Sequence, residues 1–131
     1  MSFVTDTHSL IWYMTGDPRI SPRVKEIFFD ADNSAVSIII PCIVFFEILY
    51  LIEKKKSKVN FQNFISRISV AENYKVEPLC VPIIEKCAAI PREKVQDPWD
   101  RLIAATSLHL KLPLLSKDEK LREAGLEVIW Y

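Results

Sequence analysis

The sequence predicts an α/β protein: a mostly parallel central sheet of four to five strands with helices on both faces, a three-layer α/β/α arrangement. Three observations lead there. Short β-branched and apolar runs alternate with longer segments of helical periodicity along the whole chain. Most of those segments open on a capping residue or a proline at the first helical position. The only two glycines, Gly16 and Gly125, both fall where helices should stop, which leaves none for a glycine-rich phosphate loop and removes P-loop and dinucleotide-binding readings.

The elements follow in order. A first strand covers Ser2 to Asp6, and a helix runs from about Thr7 to Met14 before Gly16. Ser21-Pro22 gives a cap followed by a first-turn proline, opening a helix through Phe29. Ala35 to Ile40 is a second strand. Pro41 then opens a long apolar helix that ends in Lys54-Lys55-Lys56-Ser57-Lys58, a basic stretch read as cations at a helix C-terminus followed by a solvated turn. Asn60 caps a helix whose face is Phe61, Phe64, Ile65 and Ile68. Lys75 to Val81 forms a third strand, pushed towards a sheet edge by Pro78, and Pro82 begins a helix ending near Ile90. Asp97 caps the next helix, with Pro98 first and Asp100 third. Leu112 to Leu115 is a fourth strand, Ser116 and Glu119 have the spacing of a capping box, and Glu127 to Trp130 is a last strand.

With 131 residues, 50% of them hydrophobic, the chain is long enough for one domain with a real core and too short for two, so residues 1–131 read as a single domain. Basic and acidic residues balance at 17 each, so any nucleic-acid contact must be local rather than the work of a polycationic surface. Three cysteines without C-x-x-C spacing point to a reducing compartment, and the N-terminus has no basic region or cleavage site of a secretory signal. The cytosol is the expected location. The apolar run Ile38–Ile52 is short of the roughly 20 residues of a membrane span and contains Pro41 and Glu47.

Chemistry concentrates in four acids: Asp6 after the first strand, Glu47 in the apolar run, Asp100 at the start of a helix, and Asp118 past the fourth strand. Glu47 is the most telling. Its helical neighbours Ile43, Val44, Tyr50 and Leu51 are apolar or aromatic, and a carboxylate in such company needs a cationic partner. In open α/β sheets ligands bind at the carboxyl edge where strand order reverses, and all four acids can reach that edge. Two carboxylates about 5 Å apart repel by roughly 3 kcal/mol at an effective dielectric near 20, which a divalent ion would offset. Oxygen ligands favour Mg²⁺ or Mn²⁺, with Asp6, Asp100 and Asp118 as the metal-holding set; an ion of this kind acidifies water and neutralises phosphate charge. Structural explanations stand beside these. Asp6 and Asp97 serve as helix caps, Asp100 and Asp118 suit the positive end of a helix, and Glu47 can be neutralised by Arg101 or a lysine. Arg101, Lys117 and Lys120 flank the site, where they suit either phosphate contact or solvation. His8 and His109 are isolated and receive no role. Trp12, Phe45, Phe46, Tyr50, Phe61 and Phe64 read mostly as core, with room for an exposed partner groove.

DTH at Asp6 with Leu10-Ile11-Trp12 behind it, FEI around Glu47, DPWDRLIAAT from Asp97 and LLSKDEKL from Leu114 occur in this order over almost the whole chain. In this the sequence resembles the PIN-domain nucleases, most closely the VapC-type toxins of bacterial toxin–antitoxin pairs. The resemblance implies a PIN-like fold and an acidic Mg²⁺/Mn²⁺ pocket at Asp6, Glu47, Asp100 and Asp118, with Ser116 as a nearby hydroxyl. It also implies endoribonuclease activity leaving a 5′-phosphate and a 3′-hydroxyl, a cognate antitoxin, and a homodimer. Relatives often carry His-Arg before DP; here Val95-Gln96 stands instead, so no histidine contact is carried over. An aspartate-dependent phosphatase would need a second acid where His8 stands, and a phosphorelay receiver would need an Asp where Leu79-Cys80 stands. The remaining competitor is a non-catalytic PIN-like module that binds protein or RNA.

Overall fold

A computed structural model describes residues 1–131. It contains β1 (Ser2–Thr5), α1 (Thr7–Thr15), α2 (Pro22–Asp32), β2 (Ser37–Pro41), α3 (Cys42–Glu53), α4 (Phe61–Val70), β3 (Tyr74–Glu77), α5 (Val81–Ala88), α6 (Pro98–Leu110), β4 (Leu114–Leu115), α7 (Lys120–Glu123) and β5 (Val128–Ile129). The five strands form one sheet in the order β3-β2-β1-β4-β5, and every pairing is parallel. The expectation of a mostly parallel sheet of four to five strands between helices is met.

Parallel strands covered on both faces need apolar side chains in both directions, and Val4, Ile38, Ile40, Leu114 and Leu115 are fully buried. They belong to one continuous cluster of 28 buried apolar residues, which helix residues such as Leu10, Phe28, Ile48 and Ile103 complete. β3 lies at the edge, where the strand stops one residue before Pro78 rather than continuing to Val81. α5 starts at Val81, with Cys80 as its cap.

Two local expectations are revised. The Ser116–Glu119 capping box does not form: the Ser116 hydroxyl accepts the Asp118 N–H at 3.1 Å, the Glu119 carboxylate lies 3.7 Å from Arg122, and the Asp118 carboxylate takes the Lys120 N–H at 3.0 Å. The short α7 begins after Glu119 without a side-chain cap, and Asp118 bonds only its first N–H. The apolar helix α3 is also less buried than its composition suggests. Only Val44 and Ile48 are fully enclosed, and Phe46 is 52% exposed. No helix is long and apolar enough to cross a membrane.

Candidate active site

The strand order reverses between β1 and β4, because the chain leaves β1 towards β2 and β3 on one side and later returns to add β4 and β5 on the other. Their register pairs Val4 with Leu114 and Thr5 with Leu115, so both strands end at the same level. Asp6 and the Ser116–Asp118 segment therefore emerge side by side at the crevice where open α/β sheets bind ligands. Cross-links fix the junction. The Asp6 N–H donates to the Leu115 carbonyl at 3.2 Å, and the Ser9 hydroxyl donates to the same carbonyl at 3.2 Å.

Asp6 caps α1, accepting the Ser9 N–H at 2.9 Å. This structural role does not exclude a chemical one, because the bonds from Ser9 and Ser116 still leave part of the carboxylate's acceptor capacity, about four lone-pair sites, free. Burial pushes the Asp6 carboxyl above its ordinary range, against hydrogen bonding from Ser9 and Ser116 and the charge of His8.

Asp97 caps α6 through hydrogen bonds from the N–H groups of Trp99 at 2.8 Å and Asp100 at 3.2 Å. That cap turns Asp100 towards the crevice. A cavity of about 340 Å³ opens there, walled by Asp6, Asp100, Asp118, Ser116, Lys117 and Trp12, with His8 at its lip. The Asp100 carboxyl is pushed up to about 7, first by burial and then by the charges of Asp97, Glu47, Asp6 and Asp118. Five carboxylates, including the cap residue Asp97, thus share one electrostatic neighbourhood.

Glu47 stands behind this cavity rather than on its wall. α3 packs against α1 and α6, with the Phe46 and Trp99 rings 5.4 Å apart, and this brings Glu47 to the start of α1. There the buried Thr7 hydroxyl donates to its Oε1 at 2.5 Å. Burial raises the Glu47 carboxyl; Thr7 and His8 oppose the rise, while Asp97 and Asp6 add to it. The expected alternative, neutralisation by Arg101 or a lysine, is absent: the three ion pairs of the molecule are Arg19–Asp17, Arg23–Glu26 and Arg122–Glu119. Arg101 turns away altogether. Its Nη2 donates to the carbonyls of Cys87 at 2.7 Å and Ile90 at 3.1 Å, closing the C-terminal end of α5, and its Nε is buried without a partner. The sequence left Arg101 open between phosphate contact and solvation; its guanidinium is engaged in closing the end of α5.

No three Asp, Glu, His or Cys side chains converge into a closed ligand set. Mg²⁺, however, is held by one or two carboxylates, several waters and substrate phosphate rather than by an all-protein cage. The donors here are all oxygen, none of the four acids has a cationic partner, and Asp100 is destabilised as an anion by its neighbours. In charge and donor chemistry these residues fit a hard divalent cation.

Sequence reasoning missed Thr7 and Ser9, both buried, which hold Glu47 and tie α1 to β4. It also gave no role to His8, which lines the cavity with its ring 5.7 Å from that of Trp12. Their position within one turn of Asp6 was the available signal. Nothing in the residue types announced it.

An acidic crevice at the switch point of an all-parallel sheet defines a class as well as a site. The chain belongs to the PIN domain family, whose pattern residues 3–126 match. It is 26% identical over 117 residues to Ribonuclease VapC22 of Mycobacterium tuberculosis, covering 89% of this chain and 87% of that protein. The fold is shared with VapBC2 from Rickettsia felis bound to a DNA fragment from its promoter, at a TM-score of 0.71 and 19% identity with all of both chains covered. DNA-bound VapBC from Salmonella typhimurium gives a TM-score of 0.70 at 17% identity, with 98% of this chain and 97% of that one covered.

Proposed function

We propose that this protein is a Mg²⁺- or Mn²⁺-dependent endoribonuclease, the toxin of a toxin–antitoxin pair, acting in the cytoplasm as a single PIN domain. One observation carries the reading: Asp100 shares a cavity with Asp6 and Asp118 and makes no ion pair, and burial with the charges of Asp97, Glu47, Asp6 and Asp118 raises its carboxyl to about 7. Carboxylates gathered at such a cost suit a cation-binding function. The ribonuclease name of the mycobacterial relative and the toxin–antitoxin assemblies among the structural neighbours support the activity and the partner.

In this reading Asp6, Asp100 and Asp118 hold the ion, directly or through water. When bound, the ion supplies charge neutralisation at the phosphate and lowers the pKa of water. Glu47, fixed by Thr7, helps to ligate or orients the attacking water on the α3 side. Ser116 is a positioning residue, joining the Asp118 N–H and the Asp6 carboxyl through one hydroxyl. The products expected are a 5′-phosphate and a 3′-hydroxyl. Exposed apolar side chains, among them Phe46, Tyr50, Val81 and Ile84, offer surface for the antitoxin or a second copy of the chain.

The test is cleavage of RNA by purified Asp6→Asn and Asp100→Asn variants. Asn caps a helix as well as Asp, so Asp6→Asn should fold, yet Mg²⁺-dependent cleavage should vanish. Cleavage surviving in the folded double variant defeats the proposal. The lack of a closed three-ligand set favours one alternative, a non-catalytic PIN-like binding module. Calorimetry with Mn²⁺ beside the cleavage assay separates the two, since such a module binds RNA without metal-dependent turnover.

A further inference from the structure

Two grooves leave the acidic cavity in different directions, and they carry opposite charge. The first, of about 490 Å³, shares His8 and Trp12 with the cavity and runs between α1 and the turn after α3. Its cations are Arg19, Lys56 and Lys58, against the single acid Asp17. The second, of about 470 Å³, shares Asp100 and Asp118 with the cavity and adds Glu93, Asp97 and Glu123 against only Lys94 and Lys120.

The basic groove is built rather than incidental. α3 ends in a Schellman turn: Lys55 takes the left-handed conformation at φ 57°, its N–H donates to Ile52, and the Lys56 N–H donates to Leu51 at 2.9 Å. That reversal carries Lys56 and Lys58 back alongside α1, and neither is in an ion pair. On the facing wall the Arg19 guanidinium sits 4.9 Å over the Trp12 ring and is gripped by Asp17 at 3.0 and 2.8 Å. Lys117 stands 5.9 Å from the same ring, at the junction with the acidic cavity. Trp12 thus organises cations along the path to the acids. A cavity of about 340 Å³ is on the scale of one small ligand, so a strand must enter it unpaired.

We propose that the groove between α1 and the Lys56–Lys58 turn binds the backbone of single-stranded RNA on one side of the cleaved phosphate, and that the acidic groove opposite provides no matching track. The inference rests on the ribonuclease reading and names how its substrate lies. Lys56 and Lys58 neutralise phosphates flanking the scissile one, and Arg19 and Lys117 lead the strand past Trp12 to the acids. Repulsion by Glu93, Asp97 and Glu123 leaves the other arm of the substrate unheld, which favours its departure after cleavage.

The experiment compares Lys56→Glu/Lys58→Glu with Lys94→Glu/Lys120→Glu. Binding of a labelled single-stranded oligoribonucleotide is followed by fluorescence anisotropy in chelator across a salt series, and cleavage is followed separately with Mg²⁺. The first variant should weaken binding by about tenfold or more, raise KM with kcat unchanged, and reduce the slope of log K against log salt by about 1.4, the loss of two single-strand phosphate contacts. The second should weaken binding several-fold less than the first, through added repulsion alone, and leave the salt slope unchanged because no phosphate contact is lost. Unchanged affinity and slope in the first variant, equal losses in both, or no RNA binding by the wild type overturns the proposal. Wild-type protein that binds RNA with this variant pattern but never cuts it upholds the track and removes the nuclease reading.

Discussion

Replacing Asp100 by Asn should destroy activity while making the metal-free protein more stable. In an unfolded chain an Asp titrates near 4, whereas in the folded protein Asp100 is raised to about 7. The folded state therefore binds the extra proton between those values, and its stability falls as pH rises from about 4 to about 7, the loss being complete above that. A shift of about three units corresponds to about 4 kcal/mol. Asp100 keeps partial access to solvent, which screens its neighbours, so about 2 kcal/mol is the expected net effect. The Asp100 carboxylate accepts no protein hydrogen bond, so the amide removes charge without breaking a contact. At about 3–4 °C per kcal/mol for a chain of this size, the variant should melt about 7 °C higher than wild type at about pH 8 in chelator. At about pH 5 only about a third of that penalty has accrued, so the gain should shrink to about 2 °C. Magnesium should raise the melting temperature of wild type at pH 8 and leave the variant nearly unmoved. A variant no more stable than wild type at high pH, or equally stabilised at both values, refutes the electrostatic account of the pocket.

Other expectations follow from the same contacts. Thr7→Val removes the hydroxyl that steadies Glu47 and should lower kcat by about tenfold, less than the roughly hundredfold or more expected from losing an acid–base group itself, as single-turnover cleavage can measure. Arg101→Met frees the last carbonyls of α5 and should cost about 2–3 kcal/mol in urea unfolding, with KM for RNA unchanged; a raised KM would return Arg101 to the substrate. Ion binding must displace the Asp100 proton below about pH 7, so the apparent Mn²⁺ affinity in calorimetry should fall by about tenfold per unit as pH drops from about 7 to about 5. A flat profile would place the ion away from Asp100.

The sequence carried most of the fold because the local signals agreed with one another. Asp97-Pro98 and Ser21-Pro22 act as the helix starts they resembled, Gly16 takes φ 66° behind α1, and Pro78 confines β3 to the edge. Three of the four acids were legible as wall residues of one cavity because their positions depend on strand ends, which hydrophobic runs reveal. Glu47 was legible as an acid withdrawn from solvent, which the structure half-buries, but not as a hydroxyl-bonded one. Its partner, Thr7, is 40 residues away and is chosen by how α3 crosses α1, a matter of helix packing that periodicity does not encode. Arg101 was left open between phosphate and solvent for the same reason: it adjoins Asp100 in the chain, yet successive residues on a helix point about 100° apart, and its side chain finds the end of α5.

The charge asymmetry around the acids also follows from the topology. Because β1 and β4 are neighbours but separated by more than 100 residues, the segments that flank their ends come from unrelated parts of the chain. On one side lies the turn after α3, where cations complement the helix dipole and cost nothing in stability. On the other lies the loop before α6, where Asp97 must cap a helix and so brings negative charge beside Asp100. The residue that opens α6 thus raises the Asp100 carboxyl and weakens the hold on any polyanion approaching from that side. An Asp97→Asn variant keeps the cap, lowers both effects together, and should tighten RNA binding in chelator by about twofold to threefold, a change of about 0.5 kcal/mol. Weaker or unchanged binding would break the link between helix capping and substrate direction.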